Sequence, residues 1–157
     1  MRRQIAWVMM LTLAVAGGCL LPGPTRANID FAGSMNVSDE GFSMEGTISN
    51  SNAVETPRTF ENVSVYLADN DEEIFRQIPV GSVGRGSNSG SVSISISAVP
   101  HYVVIYSDQF WEVDEIEVDY YVREESGPSE FMLYRALNRD ELPVRPVKEA
   151  NISSESL

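Results

Sequence analysis

The feature that most limits this chain's fold is a two-residue alternation of apolar and polar side chains that returns in run after run. Val92, Ile94, Ile96 and Ala98 alternate with Ser91, Ser93, Ser95 and Ser97 without a fault. Ile116, Val118, Tyr120 and Val122 alternate with Glu115, Glu117, Asp119 and Tyr121. Phe42, Met44, Gly46 and Ile48 form another such face, as do Ile29, Phe31, Gly33 and Met35. Shorter versions occur at Val63, Val65 and Leu67 and at Ile74, Ile78 and Val80. A period of two puts every second side chain on one face of a pleated strand, so each run reads as a strand half buried on a sheet. Residues 102–106 (YVVIY) are apolar throughout, which predicts a central strand covered on both faces. Residues 131–134 predict a closing strand, and no run carries the 3.6-residue period of a helix.

Turn chemistry separates the runs. Ser38-Asp39-Glu40-Gly41, Asp69-Asn70-Asp71, the glycine–serine stretch 81–90 and Ser126-Gly127-Pro128 supply the residues that tight turns require. Strands recurring about every ten residues predict an all-β fold, an immunoglobulin-like antiparallel β-sandwich of about seven to eight strands. Within it, Gly46-Thr47-Ile48-Ser49-Asn50, followed by Asn62-Val63-Ser64-Val65-Tyr66-Leu67, an acidic turn and Gly81-Ser82-Val83, resembles the FxLYD-type immunoglobulin-like domains of prokaryotic lipoproteins. In those domains a G-x-V-x-N strand precedes a V-x-V-x-L/Y strand with an aromatic-Asp ending, where this chain has Ala68-Asp69. The resemblance spans residues 42–107. It implies a fold and a cell-surface setting and carries over no catalytic residue.

The amino terminus points to export. A basic start (Arg2, Arg3), an apolar run over residues 5–16 and then Gly17-Gly18-Cys19 are the parts of a signal segment. Three readings compete. Ala16-Gly17-Gly18-Cys19 resembles the lipobox of prokaryotic lipoproteins, in which the cysteine takes a lipid on sulfur and becomes the first mature residue. Alternatively, an ordinary signal peptidase cuts after Ala27, or residues 5–21 stay as a short anchor. The first is preferred, because the chain's one cysteine falls directly behind the apolar run. Arg2-Arg3 leaves the general and the twin-arginine export routes both open. The organisation expected is a signal peptide at 1–18, a lipid-anchored tether at 19–28 built on Pro22 and Pro24, a sandwich at 29–135 and a mobile polar tail at 136–157.

Composition narrows the function. At 157 residues and 43% hydrophobic, the chain is one domain with enough apolar material for a core. Its net charge of −12 opposes binding to nucleic acid. Processing at Cys19 removes Arg2 and Arg3 and no acid, which takes the formal charge from −12 to −14. Many acids and serines with Lys148 as the one lysine resemble the surfaces of halophilic archaeal proteins, whose self-repulsion is screened in concentrated salt. One cysteine forbids an internal disulfide and a multi-cysteine zinc site.

Candidate sites are few. His101 is the one imidazole available to a catalytic triad, and between Pro100 and Tyr102 it reads more readily as a packing residue. Glu115, Glu117 and Asp119 share the polar face of one strand and suit a sugar or an ion, although a solvated acidic face explains them as well. Residues 69–73 hold four acids but place Ile74 where an EF-hand loop needs glycine. Phe110-Trp111 is either a partner anchor or a plug closing the core. Asn36, Asn62 and Asn151 begin N-glycosylation triplets. The expectation is therefore an exported lipoprotein on the outer face of the cell membrane, held there by lipid on Cys19. It is expected to act as a non-enzymatic binding module for an envelope protein or solute, with no metal or cofactor. A small carboxylate-dependent hydrolase and a calcium-dependent adhesion domain are the alternatives.

Overall fold

The structure, a computed structural model, describes residues 25–51, 58–85, 89–125 and 130–146. The fold is all-β, as the alternation requires. Eight strands run in chain order: β1 (Arg26–Ser38), β2 (Gly41–Asn50), β3 (Phe60–Ala68), β4 (Ile74–Val83), β5 (Gly90–Ile96), β6 (Tyr102–Tyr106), β7 (Glu115–Arg123) and β8 (Phe131–Ala136). The hydrogen-bonded path is β4-β3-β6-β7-β1-β2-β5, with β8 attached to β7. One layer is β1-β2-β5 and the other β4-β3-β6-β7. This is the distribution of strands in an immunoglobulin-like sandwich. The layers are joined because Arg26–Ile29 of β1 run parallel to Glu115–Val118 of β7, the one parallel pairing among the described residues. At the other end of the path β4 and β5 lie against each other, where a Cβ on Gly90 would collide with Val80. The sandwich is thus nearly a closed barrel.

Alternation places the main core between the layers. Phe42, Met44 and Ile48 of β2, Val92 and Ile94 of β5, Val63, Val65 and Leu67 of β3, and Val103 and Ile105 of β6 all point into it. Gly33 of β1 sits opposite Gly46 of β2, and the Phe31 ring lies over the pair so closely that a Cβ at either position would strike it. In β3 the register shifts between Phe60 and Val63, and Asn62 takes φ 55° there, so both apolar residues face inward despite their odd spacing. β6 is central and buried on both faces, as its unbroken apolar run predicts.

Two boundaries differ from the sequence expectation. The tether does not reach Asn28, since β1 starts at Arg26 and Ala27 is a core residue. Thr25 is fixed too: its backbone N–H and hydroxyl both donate to the Asp114 carboxylate, at 2.8 and 2.9 Å. The tail expected from Ala136 is packed as far as the described residues extend. Ala136 closes β8, and Asn138 caps a 3-10 turn at Arg139–Glu141. Leu142 and Val144 are then buried against Ala68, Val104 and Tyr106 on the outer face of the second layer. Pro143 and Pro146 keep this segment extended while its two apolar side chains cover a face that would otherwise be wet.

Candidate functional site

The sequence-predicted residues do not converge on one place. Cys19 and Asn151 lie outside the described residues. Phe110 is fully buried in a 3-10 turn at Asp108–Glu112, its ring edge-on to Phe60 at 5.1 Å, so it plugs the core and is not free to anchor a partner. Trp111 is half-buried beside Tyr106 and Phe110. Asn36 and Asn62 are exposed, but in the second triplet Val63 and the acceptor-pattern Ser64 are buried. His101 stands edge-on to Tyr102 at 4.6 Å, with Nδ1 3.8 Å from Glu125. In the 69–73 turn the Asp69 carboxylate accepts backbone N–H groups of Asp71 and Glu73, both at 2.9 Å. That role, carried by Oδ1, fixes the turn. Among the described residues no three His, Cys, Asp or Glu side chains are grouped to hold a metal.

The acidic strand departs from the expectation in a more informative way. β7 is served on one edge by β1 as far as Val118 and by β8 from Val118 onward, so the two strands fork there. Asp119 sits at the fork and is 3% exposed, not on a solvated face with Glu115 and Glu117. The cause is the change of partner: β8 places Arg135 directly opposite Asp119, and Arg135 Nε donates to Asp119 Oδ1 at 3.0 Å. Across the fork, Asp30 of β1 accepts the Ser51 hydroxyl, and its other oxygen is buried without an ordinary donor. Burial raises the Asp119 carboxyl above its usual range and Asp30 raises it further, against the pull of Arg135. Burial and these two acids push the neighbouring Tyr121 phenol up to about 12.

A cleft of about 660 Å³ opens beside the fork, lined by Arg26, Asn28, Ser51, Asp114, Glu117 and Leu137 among others. Its acids are already engaged. Asp114 is held below the usual carboxylate range by the backbone N–H and hydroxyl of Thr25, Glu115 pairs with Arg26 at 2.7 Å, and Glu117 lies 3.7 Å from Arg135.

The surface feature that sequence reasoning missed is the outer edge of β8. Met132, Leu133 and Tyr134 are 42, 49 and 46% exposed on three successive positions, so large apolar groups are offered on both faces of the strand. Tyr134 is held by stacking on Tyr120 at 5.5 Å and Phe131 by contact with Phe42 at 5.3 Å. Among the described residues β8 pairs with β7 alone, which leaves its other row of backbone N–H and C=O groups unpaired. The signal was present in the sequence: Phe131-Met132-Leu133-Tyr134 breaks the alternation with four large residues and contains neither proline nor lysine. No family model, no curated protein and no solved structure matches this chain.

Proposed function

We propose that this chain is an exported, lipid-anchored binding module of the cell envelope, held at the outer face of the membrane by Cys19 and acting through a strand edge. The observation that carries the reading is β8, an apolar edge unpaired among the described residues, on a chain whose net charge is −12. Isolated exposed apolar residues are ordinary, but a contiguous row along a free strand edge is a template for another strand. The β1 start at Arg26 leaves the six residues 20–25 between Cys19 and the domain. An acidic surface with one lysine suits a body facing concentrated salt.

The hydrolase reading draws on Glu115, Glu117 and Asp119 of the acidic strand, and their arrangement speaks against it. A glycosidase holds its two carboxyls about 5 Å or more apart, with the sugar bond between them. Here Asp119 is buried against Arg135, Glu115 pairs with Arg26 and Glu117 lies beside Arg135, so each acid of the strand already faces a guanidinium. The Asp119–Arg135 pair reads as a seal at the fork.

The test compares wild type with Cys19→Ser in cells making the full chain, by intact mass and detergent partitioning. The reading predicts a mature mass that begins at Cys19 with added lipid and a detergent-phase protein, both lost in the variant. A soluble wild type beginning at Asn28 contradicts the anchor. The edge is tested with Leu133→Cys and a membrane-impermeant maleimide. The thiol should be shielded on intact cells and react once the protein is dilute in detergent, and equal reactivity in both contradicts the edge as the working surface.

A further inference from the structure

We infer that the edge of β8 is the seam of a two-fold dimer of this chain, in which β8 pairs antiparallel with β8 of a second copy about Leu133. The inference rests on the binding-module reading and names its partner.

The geometry begins with the edges. A sheet of this kind has four edges to manage. β4 and β5 cover each other at the closing side of the sandwich. The edge of β1 beyond Ile29 is free but offers mainly small and polar groups, Ala32, Gly33, Ser34 and Asn36 among them. β8 alone among the described strands joins a free edge to a row of exposed large apolar side chains.

Symmetry then selects the register. A two-fold axis normal to a sheet relates residues of the same parity, so that facing side chains lie on the same side of the joined sheet. Centred on Leu133, the pairing sets Leu133 against its own copy, Met132 against Tyr134 of the second copy, and Phe131 against Arg135. Each contact is favourable: apolar on apolar, thioether on ring, and guanidinium on ring. Moving the axis to Met132 sets Glu130 against Tyr134, and moving it to Tyr134 sets Leu133 against Arg135. Charge points the same way. The six residues of β8 include no acid, so two copies can meet there without bringing carboxylates together, despite a net −12 on each chain. The exposed Arg135 side chain keeps its own pairing with Asp119 and still reaches outward.

A six-residue seam is small beside a standard interface, so the dimer is weak in free solution. Anchoring both copies to one membrane raises their effective concentration and makes a weak seam sufficient.

Cross-linking reads the register directly. The full chain is prepared in membranes with Leu133→Cys, Met132→Cys or Tyr134→Cys, each also in a Cys19→Ser background purified in mild detergent so that the seam is judged apart from the anchor. Leu133 faces itself across the axis, so mild oxidation of Leu133→Cys should give disulfide dimer at about tenfold the yield of either other variant alone. Met132→Cys mixed with Tyr134→Cys should cross-link as a pair. No dimer from Leu133→Cys, or equal yields from all positions, overturns the proposal. If the Leu133 thiol is shielded on cells yet forms no self-dimer, the edge binds a different strand: the dimer is overturned and the binding-module reading stands. If the thiol is neither shielded nor cross-linked, both fall.

Discussion

β4 and β8 both bring large apolar side chains to the surface, Ile74 and Phe75 on one and Met132, Leu133 and Tyr134 on the other. Their edges are nevertheless opposite in kind. β4 carries Arg76 and Pro79, shifts register against β3 at three places, and folds over onto β5. Proline, charge and bulges are the devices by which sheets avoid pairing with other chains. β8 has none along its apolar row and is straight in register with β7 over all six residues. Exposure of apolar surface therefore does not by itself mark an interface; an undefended row of backbone donors and acceptors beside it does.

The comparison assumes a rigid body behind both edges, and the largest predicted effect tests that. Phe110→Ala removes a fully buried ring from the end of the core and should cost about 3–5 kcal/mol in denaturant unfolding. A loss below about 1 kcal/mol would mean the ring is not a plug and would reopen its reading as an anchor. Leu142→Ala should cost about 2–4 kcal/mol, because the segment after β8 is part of the packed body. A cost near zero would return that segment to a mobile tail and free β8 on both sides.

The fork gives a pH dependence. Asp119 has a raised carboxyl in the folded state, so the folded chain holds its proton more tightly than the unfolded chain does. That contribution is fully present below the ordinary value of 3.8 and is lost as pH rises through the raised value. Asp119→Asn should remove this decline, leaving stability flatter over the same window. A variant with the wild-type slope would show that the fork does not hold the proton.

The smallest effect on stability should come from the edges themselves, and it sharpens the comparison most. Leu133→Lys and Phe75→Lys should each change stability by about 0.5 kcal/mol or less, since both positions are exposed. Only Leu133→Lys should abolish self-association of the full chain in liposomes, read by chemical cross-linking, because a charge on the seam faces its own copy. Equal effects of the two would erase the distinction between the edges.

The strands were legible because burial on one face writes itself as a period of two, and the YVVIY run located β6 at the centre of its layer. The parts that were not legible depend on partners rather than on local pattern. Glu115, Glu117 and Asp119 look alike along the strand, yet only Asp119 lies beyond the point where β8 replaces β1, so only it is drawn inward. Leu142 and Val144 sit among prolines and charges, and nothing local says that they cover Val104 and Ala68. The edge of β8 was written in the sequence but masked by its short length. Cys19 remains a sequence inference, since it lies outside the described residues.

The most direct test of the central claim is amide hydrogen exchange of the full chain reconstituted in liposomes, comparing wild type with Leu133→Lys. The seam predicts that amides within Phe131–Ala136 are slowed in wild type and speed up in the variant, while those of Ile74–Val83 are the same in both. Equal exchange of β8 in the two proteins would contradict the claim that this edge is the surface through which the chain works.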